Sequence, residues 1–165
     1  MKLGKSLLVL QLFLISSSSW ANEVTSLCTS KEVVYFDCQT DKGMLSLCGS
    51  KKDSKLEGIQ VRLGTMGSLK FNYPNSMDNS LKAFKYSRYT RPLVTYLKIS
   101  FESDLAKYEL YRDSSYEENP KKEDWAAGLN KASGNNIDEI AICSNQPIDR
   151  LSELEDILEN KDFFE

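Results

Sequence analysis

The stretch Glu32-Val33-Val34-Tyr35-Phe36-Asp37-Cys38-Gln39-Thr40-Asp41-Lys42-Gly43-Met44-Leu45-Ser46-Leu47-Cys48-Gly49 decides the fold class. Its first half is rich in β-branched and aromatic residues, which fit a pleated, half-buried surface. Asp41-Lys42-Gly43 then has turn chemistry, with a glycine free to take positive φ. Met44 to Gly49 returns as the second strand of a hairpin. A pairing centred on Lys42 sets Cys38 opposite Ser46 and Phe36 opposite Cys48. The two-residue period puts these four side chains on one face and Tyr35, Asp37, Leu45 and Leu47 on the other. The two cysteines and Phe36 favour the first face as the core side.

Outward from this hairpin, strands are predicted at Gly58 to Leu63, Leu69 to Tyr73, Leu93 to Phe101, Lys107 to Tyr111, Trp125 to Lys131 and Ile137 to Cys143. Short strands separated by turn signals define a mainly β chain, predicted here as a small antiparallel barrel or rolled sheet. Asn75 to Ser80 and Ser114 to Asp124 are polar and read as loops. After Pro147, Leu151, Leu154, Ile157 and Leu158 recur at helical spacing, with acidic residues between them. Residues 149–160 are therefore predicted as a short amphipathic helix, with Asp149 as its N-cap.

The N-terminus reads as an export signal. Lys2 and Lys5 precede an apolar run from Leu7 to Ile15, and Ser19-Trp20-Ala21 offers a small-x-small cleavage site. Residues 1–21 are the predicted signal and 22–165 a single disulfide-bonded domain. No later stretch approaches the roughly 20 apolar residues of a spanning helix, so a soluble periplasmic or secreted protein is expected. Cys28, Cys38, Cys48 and Cys143 all follow the predicted cut, and in an oxidising compartment four cysteines read as two disulfides with three possible connectivities. Metal binding is not expected, because the spacings lack a zinc-knuckle pair and the chain has no histidine.

Charge and catalytic residues narrow the function classes. The segment from Asp149 to Glu165 holds seven acidic residues and two basic ones, while the body from Asn22 to Ile148 is neutral overall. A neutral body argues against nucleic acid as a partner. The absence of histidine removes the commonest general base, and neither a Gly-x-Ser-x-Gly elbow nor a glycine-rich phosphate loop occurs. Glu102 with Asp104, or Glu117 with Glu118, are the carboxylate pairs a small hydrolase would use, but such residues in strand ends and polar loops are ordinarily solvated. The expectation is a non-enzymatic protein without cofactor.

The candidate binding segment is Lys82-Ala83-Phe84-Lys85-Tyr86-Ser87-Arg88-Tyr89-Thr90-Arg91. Between Ser68 and Ser100, six basic residues meet a single acidic one, Asp78, and aromatics alternate among them. Lys82, Lys85, Tyr86, Arg88, Tyr89 and Arg91 are the predicted contact residues, since Tyr and Arg are enriched at binding hot spots. The partner class is a protein or an anionic envelope polymer. Extended, the segment places Lys82, Phe84, Tyr86 and Arg88 on one side and Lys85, Tyr89 and Arg91 on the other. A plain edge strand, with lysines deterring aggregation and aromatics packed inward, has the same composition. The acidic C-terminal segment has two alternatives open to it: docking on this stretch, or standing free to meet a basic partner.

The chain also resembles a family of small exported proteobacterial proteins without an assigned activity. The resemblance rests on Val34-Tyr35-Phe36-Asp37-Cys38, Leu45-Ser46-Leu47-Cys48-Gly49-Ser50, Gly58 to Gly64, Phe71-Asn72-Tyr73-Pro74, Tyr86-Ser87-Arg88-Tyr89-Thr90-Arg91-Pro92 and Tyr108-Glu109-Leu110-Tyr111. Phe36-Asp37-Cys38 and Cys143 are in addition similar in type and order to the early aromatic-x-Cys strand and C-terminal cysteine of the periplasmic C-type lysozyme inhibitors. That resemblance implies a small β-barrel with a Cys38 to Cys143 bond, which leaves Cys28 with Cys48. The inhibitory Ser-Gly-x-x-Tyr loop of those proteins has no counterpart, since Ser133-Gly134 is followed by Ile137 at the tyrosine position. The expected function is an exported binding protein, with inhibition of an envelope-targeting macromolecule as one form of it and a structural or envelope-maintenance role as the alternative.

Overall fold

The computed structural model describes residues 26–134 and 136–164, so the predicted signal segment lies outside the described residues. In chain order the elements are β1 (Val33–Thr40), β2 (Gly43–Lys52), β3 (Lys55–Thr65), β4 (Ser68–Tyr73), a 3-10 turn at Ser80–Ala83, β5 (Phe84–Arg91), β6 (Val94–Ser103), β7 (Ala106–Ser115), β8 (Asp124–Ser133), β9 (Asn136–Ile142), β10 (Ile148–Asp149), a second 3-10 turn at Leu151–Leu154, and β11 (Glu159–Asn160). They form two sheets, one ordered β10-β1-β2-β3-β4 and the other β11-β5-β6-β7-β8-β9. All neighbours are antiparallel except β11, which runs parallel to β5. The mainly β class is as the sequence predicts, but no barrel closes: each sheet keeps two edges, and the two share one core instead.

The first hairpin is tighter than predicted by one residue. Thr40 pairs with Gly43, so only Asp41 and Lys42 lie in the turn, and Cys38 stands opposite Leu45 and Phe36 opposite Leu47. The Thr40 hydroxyl donates to the Gly43 carbonyl at 2.7 Å and accepts from the Lys42 amide at 3.1 Å. Gly43 takes φ +111°, and a Cβ there would sit 2.1 Å from the Gly64 carbonyl oxygen. One residue of slip moves every side chain of a strand to the other face. Cys38 therefore faces the core with Phe36, Leu45 and Leu47, while Cys48 shares the opposite face with Ser46, Gln60 and Arg62. A bulge between Val34 and Phe36 inserts Tyr35, whose ring lies against Gly49 and under the Arg150 guanidinium.

The opposite face of the first sheet is covered by the segment before β1. Cys28 bonds Cys48, Leu27 is buried, and its amide donates to the Ser46 hydroxyl. Arg62 donates to the Leu27 carbonyl at 2.8 Å and holds both Glu32 carboxylate oxygens at 2.7 and 2.8 Å. Burial alone would raise the Glu32 carboxyl, but Arg62 and the Thr29 amide more than offset it and hold it below the usual carboxylate range.

Between the sheets, Phe71 and Tyr73 of β4 meet Phe84, Phe101 and Tyr108 of β5, β6 and β7. The Tyr73 and Phe101 rings stack at 4.8 Å and the Phe101 and Tyr108 rings at 5.3 Å. Such contacts add about 0.5–1.5 kcal/mol each beyond area burial, so this end of the core is a strong fastening. The other end is closed covalently, by Cys38 bonded to Cys143 just past β9. Both disulfides are those the inhibitor resemblance implies.

The predicted C-terminal helix over 149–160 does not form. Leu151, Leu154 and Leu158 are buried as an amphipathic helix would bury them, but within a single 3-10 turn and the chain that follows it. Asp149 Oδ1 accepts from the Leu151 amide, a local turn in place of a helix cap. The ends decide the outcome. β10 pairs with β1, the Arg150 amide donates to the Tyr35 carbonyl, and the Lys161 amide donates to the Tyr86 carbonyl. A helix spends its amides and carbonyls internally and would leave both sheet edges unpaired.

Two outcomes follow for stability. In the chain-entropy picture, the 105-residue separation of Cys38 and Cys143 gives roughly 1.5 kcal/mol more stabilisation than the 20-residue separation of Cys28 and Cys48, so paired alanine substitutions at the first bridge should lower the urea midpoint further. Leu105 is fully exposed at the β6–β7 tip with φ +63°, a conformation that crowds a leucine. Leu105→Gly should stabilise the fold by about 0.5–1 kcal/mol, and no gain in the unfolding midpoint would argue against strain there.

Candidate functional site

The predicted binding segment forms the 3-10 turn and β5. Within β5 the predicted alternation holds: Phe84, Tyr86 and Arg88 point to the core side and Lys85, Tyr89 and Arg91 to the outer face, while Lys82 precedes the strand as an exposed residue of the 3-10 turn. Tyr86 is 1% exposed, and burial pushes its phenol up to about 12, with the Glu155 charge adding to the effect. It is a core residue and offers no contact surface.

The cations of β5 are answered from within the chain. Lys85 pairs with Glu159, Arg88 with Glu155 at 2.9 Å, and Arg91 with both oxygens of Glu117 at 2.6 and 2.7 Å. The hydrogen bonds between Arg91 and Glu117 raise the arginine and lower the carboxyl. Of the two alternatives for the acidic C-terminal segment, the structure thus has it docked on the basic stretch. Tyr89 stacks on Tyr96 of β6 with centroids 5.9 Å apart, and Phe163 and Phe164 lie over the pair at 6.0 and 5.4 Å from Tyr89. Lys98 sits 4.3 Å above the Phe163 ring, and Phe164 is 79% exposed.

Beside this patch, a cleft of about 660 Å³ opens between the β5–β7 end and the C-terminal segment. Tyr73, Phe101, Ser100, Lys85, Lys107 and Glu102 line its body side, and residues Glu159 to Asp162 form its other wall. Glu102, one of the four carboxylates a hydrolase reading would nominate, lines this cleft, whereas Glu117 is engaged by Arg91. Sequence reasoning missed Phe163, Phe164 and the cleft; the one available signal was an aromatic pair inside an otherwise acidic terminus.

A second unforeseen cluster ties the sheets together. Arg112 of β7 is buried, donates to Glu123 at 2.5 Å, reaches Asp149 of β10 at 3.6 Å and lies 5.9 Å from the centre of the Trp125 ring. Asp37 of β1 is 1% exposed; Ser46 donates to its Oδ1, and its Oδ2 has no hydrogen-bond partner among the described residues. Burial pushes the Asp37 carboxyl up, against the opposing pull of the Ser46 and Ser26 hydroxyls. Among the described residues the only metal-like grouping is Cys28, Glu32 and Cys48, where both sulfurs are in a disulfide and the carboxylate is held by Arg62.

Fold and site together define a disulfide-bonded, two-sheet β protein whose basic strand is strapped by its own acidic terminus. The chain matches no protein-family model, no curated protein and no solved structure. Two disulfides fit an oxidising compartment, and among the described residues no helix is long and apolar enough to cross a membrane.

Asp37 carries a pH prediction. Its folded carboxyl titrates above the unfolded value near 3.8, so the folded state holds the proton more tightly. The resulting stabilisation is full below the unfolded value and is lost as pH rises through the folded one. Asp37→Asn removes this titration, so its urea midpoint should fall less than that of wild type as pH rises above about 4; parallel profiles would contradict the assignment.

Proposed function

We propose that the chain is an exported, non-enzymatic binding protein, periplasmic or secreted, that recognises another protein through the outer face of β5 and β6 at Tyr89 and Tyr96. The observation that carries this reading is the aromatic cluster of Tyr89, Tyr96, Phe163 and Phe164 on an outer sheet face, with Phe164 79% exposed. Rigid aromatic rings at a surface are what binding hot spots are made of, because they bury much apolar area for few frozen torsions. Arg91 and Lys98 flank the rings, so the patch has an apolar centre with a charged rim.

Internal pairing of Lys85, Arg88 and Arg91 weighs against an anionic polymer as partner, since that mode needs uncompensated cations. Inhibition of the partner is the activity that the lysozyme-inhibitor resemblance implies. The same ion pairs favour a second reading, in which the stretch only holds the fold and the protein has a structural role in the envelope.

One experiment separates the two. Immobilised oxidised protein is exposed to envelope extract beside a Tyr89→Ser, Tyr96→Ser variant whose folding is checked by circular dichroism. A specific protein retained by wild type and lost by the folded variant supports the binding reading. Equal retention, or none by either, returns the stretch to a structural role.

A further inference from the structure

We propose that the β5 edge is an acceptor for an extended acidic strand bearing an aromatic residue, and that the C-terminal segment from Glu159 onward is its built-in, displaceable occupant. This deepens the reading above and rests on it for the surface concerned. It adds the chemistry of the partner and the manner of its entry, by strand addition.

The occupant shows what the acceptor selects. Glu159 and Asn160 pair in parallel with Lys85 and Tyr86, and the Lys161 amide donates to the Tyr86 carbonyl at 2.8 Å. The Glu159 carboxylate meets Lys85. Four residues on, Phe163 reaches Tyr89, Tyr96 and Lys98, with centroids 6.0 Å from each tyrosine ring and 4.3 Å from the Lys98 ammonium. Backbone pairing, one carboxylate and one aromatic ring at a fixed interval make up a recognition pattern that another chain can present.

The division between anchored and displaceable chain falls at Leu158. Leu151, Leu154 and Leu158 are buried and belong to the shared core. Beyond them no residue through Phe164 is buried, the paired strand is two residues long, and the Lys85–Glu159 pair is solvent-exposed. Exposed ion pairs are weak and screened by salt, and Phe163 rests on Tyr89 and Tyr96 outside the shared core, so this segment lifts without disturbing the core. Its departure removes Glu159 and Asp162 from the cleft wall and leaves Lys85, without its Glu159 partner, beside Tyr73 and Phe101 for an acidic newcomer. The tether gives the native segment a high effective concentration, so a competing strand must either bind more tightly or arrive where the strap is weakened.

The test uses the full chain and a fluorescent peptide of sequence Glu-Asn-Lys-Asp-Phe-Phe-Glu as the probe, read by anisotropy. A Glu159→Lys, Phe163→Ser variant, which weakens the strap, should bind the peptide at least tenfold more tightly than wild type. That affinity should fall as salt rises and be lost on adding Lys85→Glu. A strap-weakened variant that binds no better than wild type overturns the proposal. Amide exchange on wild type tests displaceability without any substitution: the Lys161 amide should exchange at least a hundredfold faster than the β6–β7 amides, and equal protection overturns the idea. Failure of the peptide while the Tyr89 and Tyr96 substitutions still abolish partner capture refutes strand exchange and leaves the binding surface standing.

Discussion

Everything in this molecule depends on how two open sheets are kept face to face. Apolar burial draws them together but is non-directional and fixes no register. Registration comes from the chain after β9, which crosses repeatedly between the sheets. Cys143 bonds Cys38, the Ser144 amide donates to the Gln39 carbonyl, β10 lies on β1, and Leu151, Leu154 and Leu158 are buried in the shared core. Arg112 adds an electrostatic tie from β7 to Asp149. The aromatic stack of Tyr73, Phe101 and Tyr108 closes the far end, so the core is pinned at both extremities.

The strap has a direct bearing on electrostatics. Read along the chain, a basic stretch and an acidic terminus are two opposed features; in three dimensions they meet at two ion pairs, with Glu155 and Glu159 set against Arg88 and Lys85. What remains on the outer face is an apolar patch rather than a charged one. The proposed function therefore turns on Tyr89 and Tyr96 instead of the full predicted set, in which Tyr86 is core and three cations are already engaged.

Much of the fold was legible because it follows from local pattern. Alternation and β-branched content located β1 to β4 and β6 to β9, and the polar loops fell where Gly, Pro, Asn and Ser cluster. The failures were non-local. Whether Asp41-Lys42 or Asp41-Lys42-Gly43 forms the turn depends on the Thr40 hydroxyl and on Gly64 crowding Gly43 from β3, and neither appears in a two-residue period. The C-terminal leucines carried a true burial signal, but spacing alone cannot distinguish a helix from a strap whose ends are claimed by two sheet edges. At the site, the alternation along β5 was readable from sequence, whereas the partners of Lys85, Arg88 and Arg91 lie 26 to 74 residues away and were not.

The one-residue register of the first hairpin also bears on how the protein oxidises. Cys28, Cys38 and Cys48 are evenly spaced along the chain, and loop-closure entropy alone favours bridging the nearest neighbours first. Once β1 and β2 pair, Cys38 points into the core and Cys48 out of it, on opposite sides of one sheet. Thiols so divided cannot meet without backbone movement. The hairpin thus acts as a sorting device: it reserves Cys38 for the distant Cys143 and leaves Cys48 to the segment that folds over the outer face, so correct pairing is directed by strand geometry rather than by proximity in sequence.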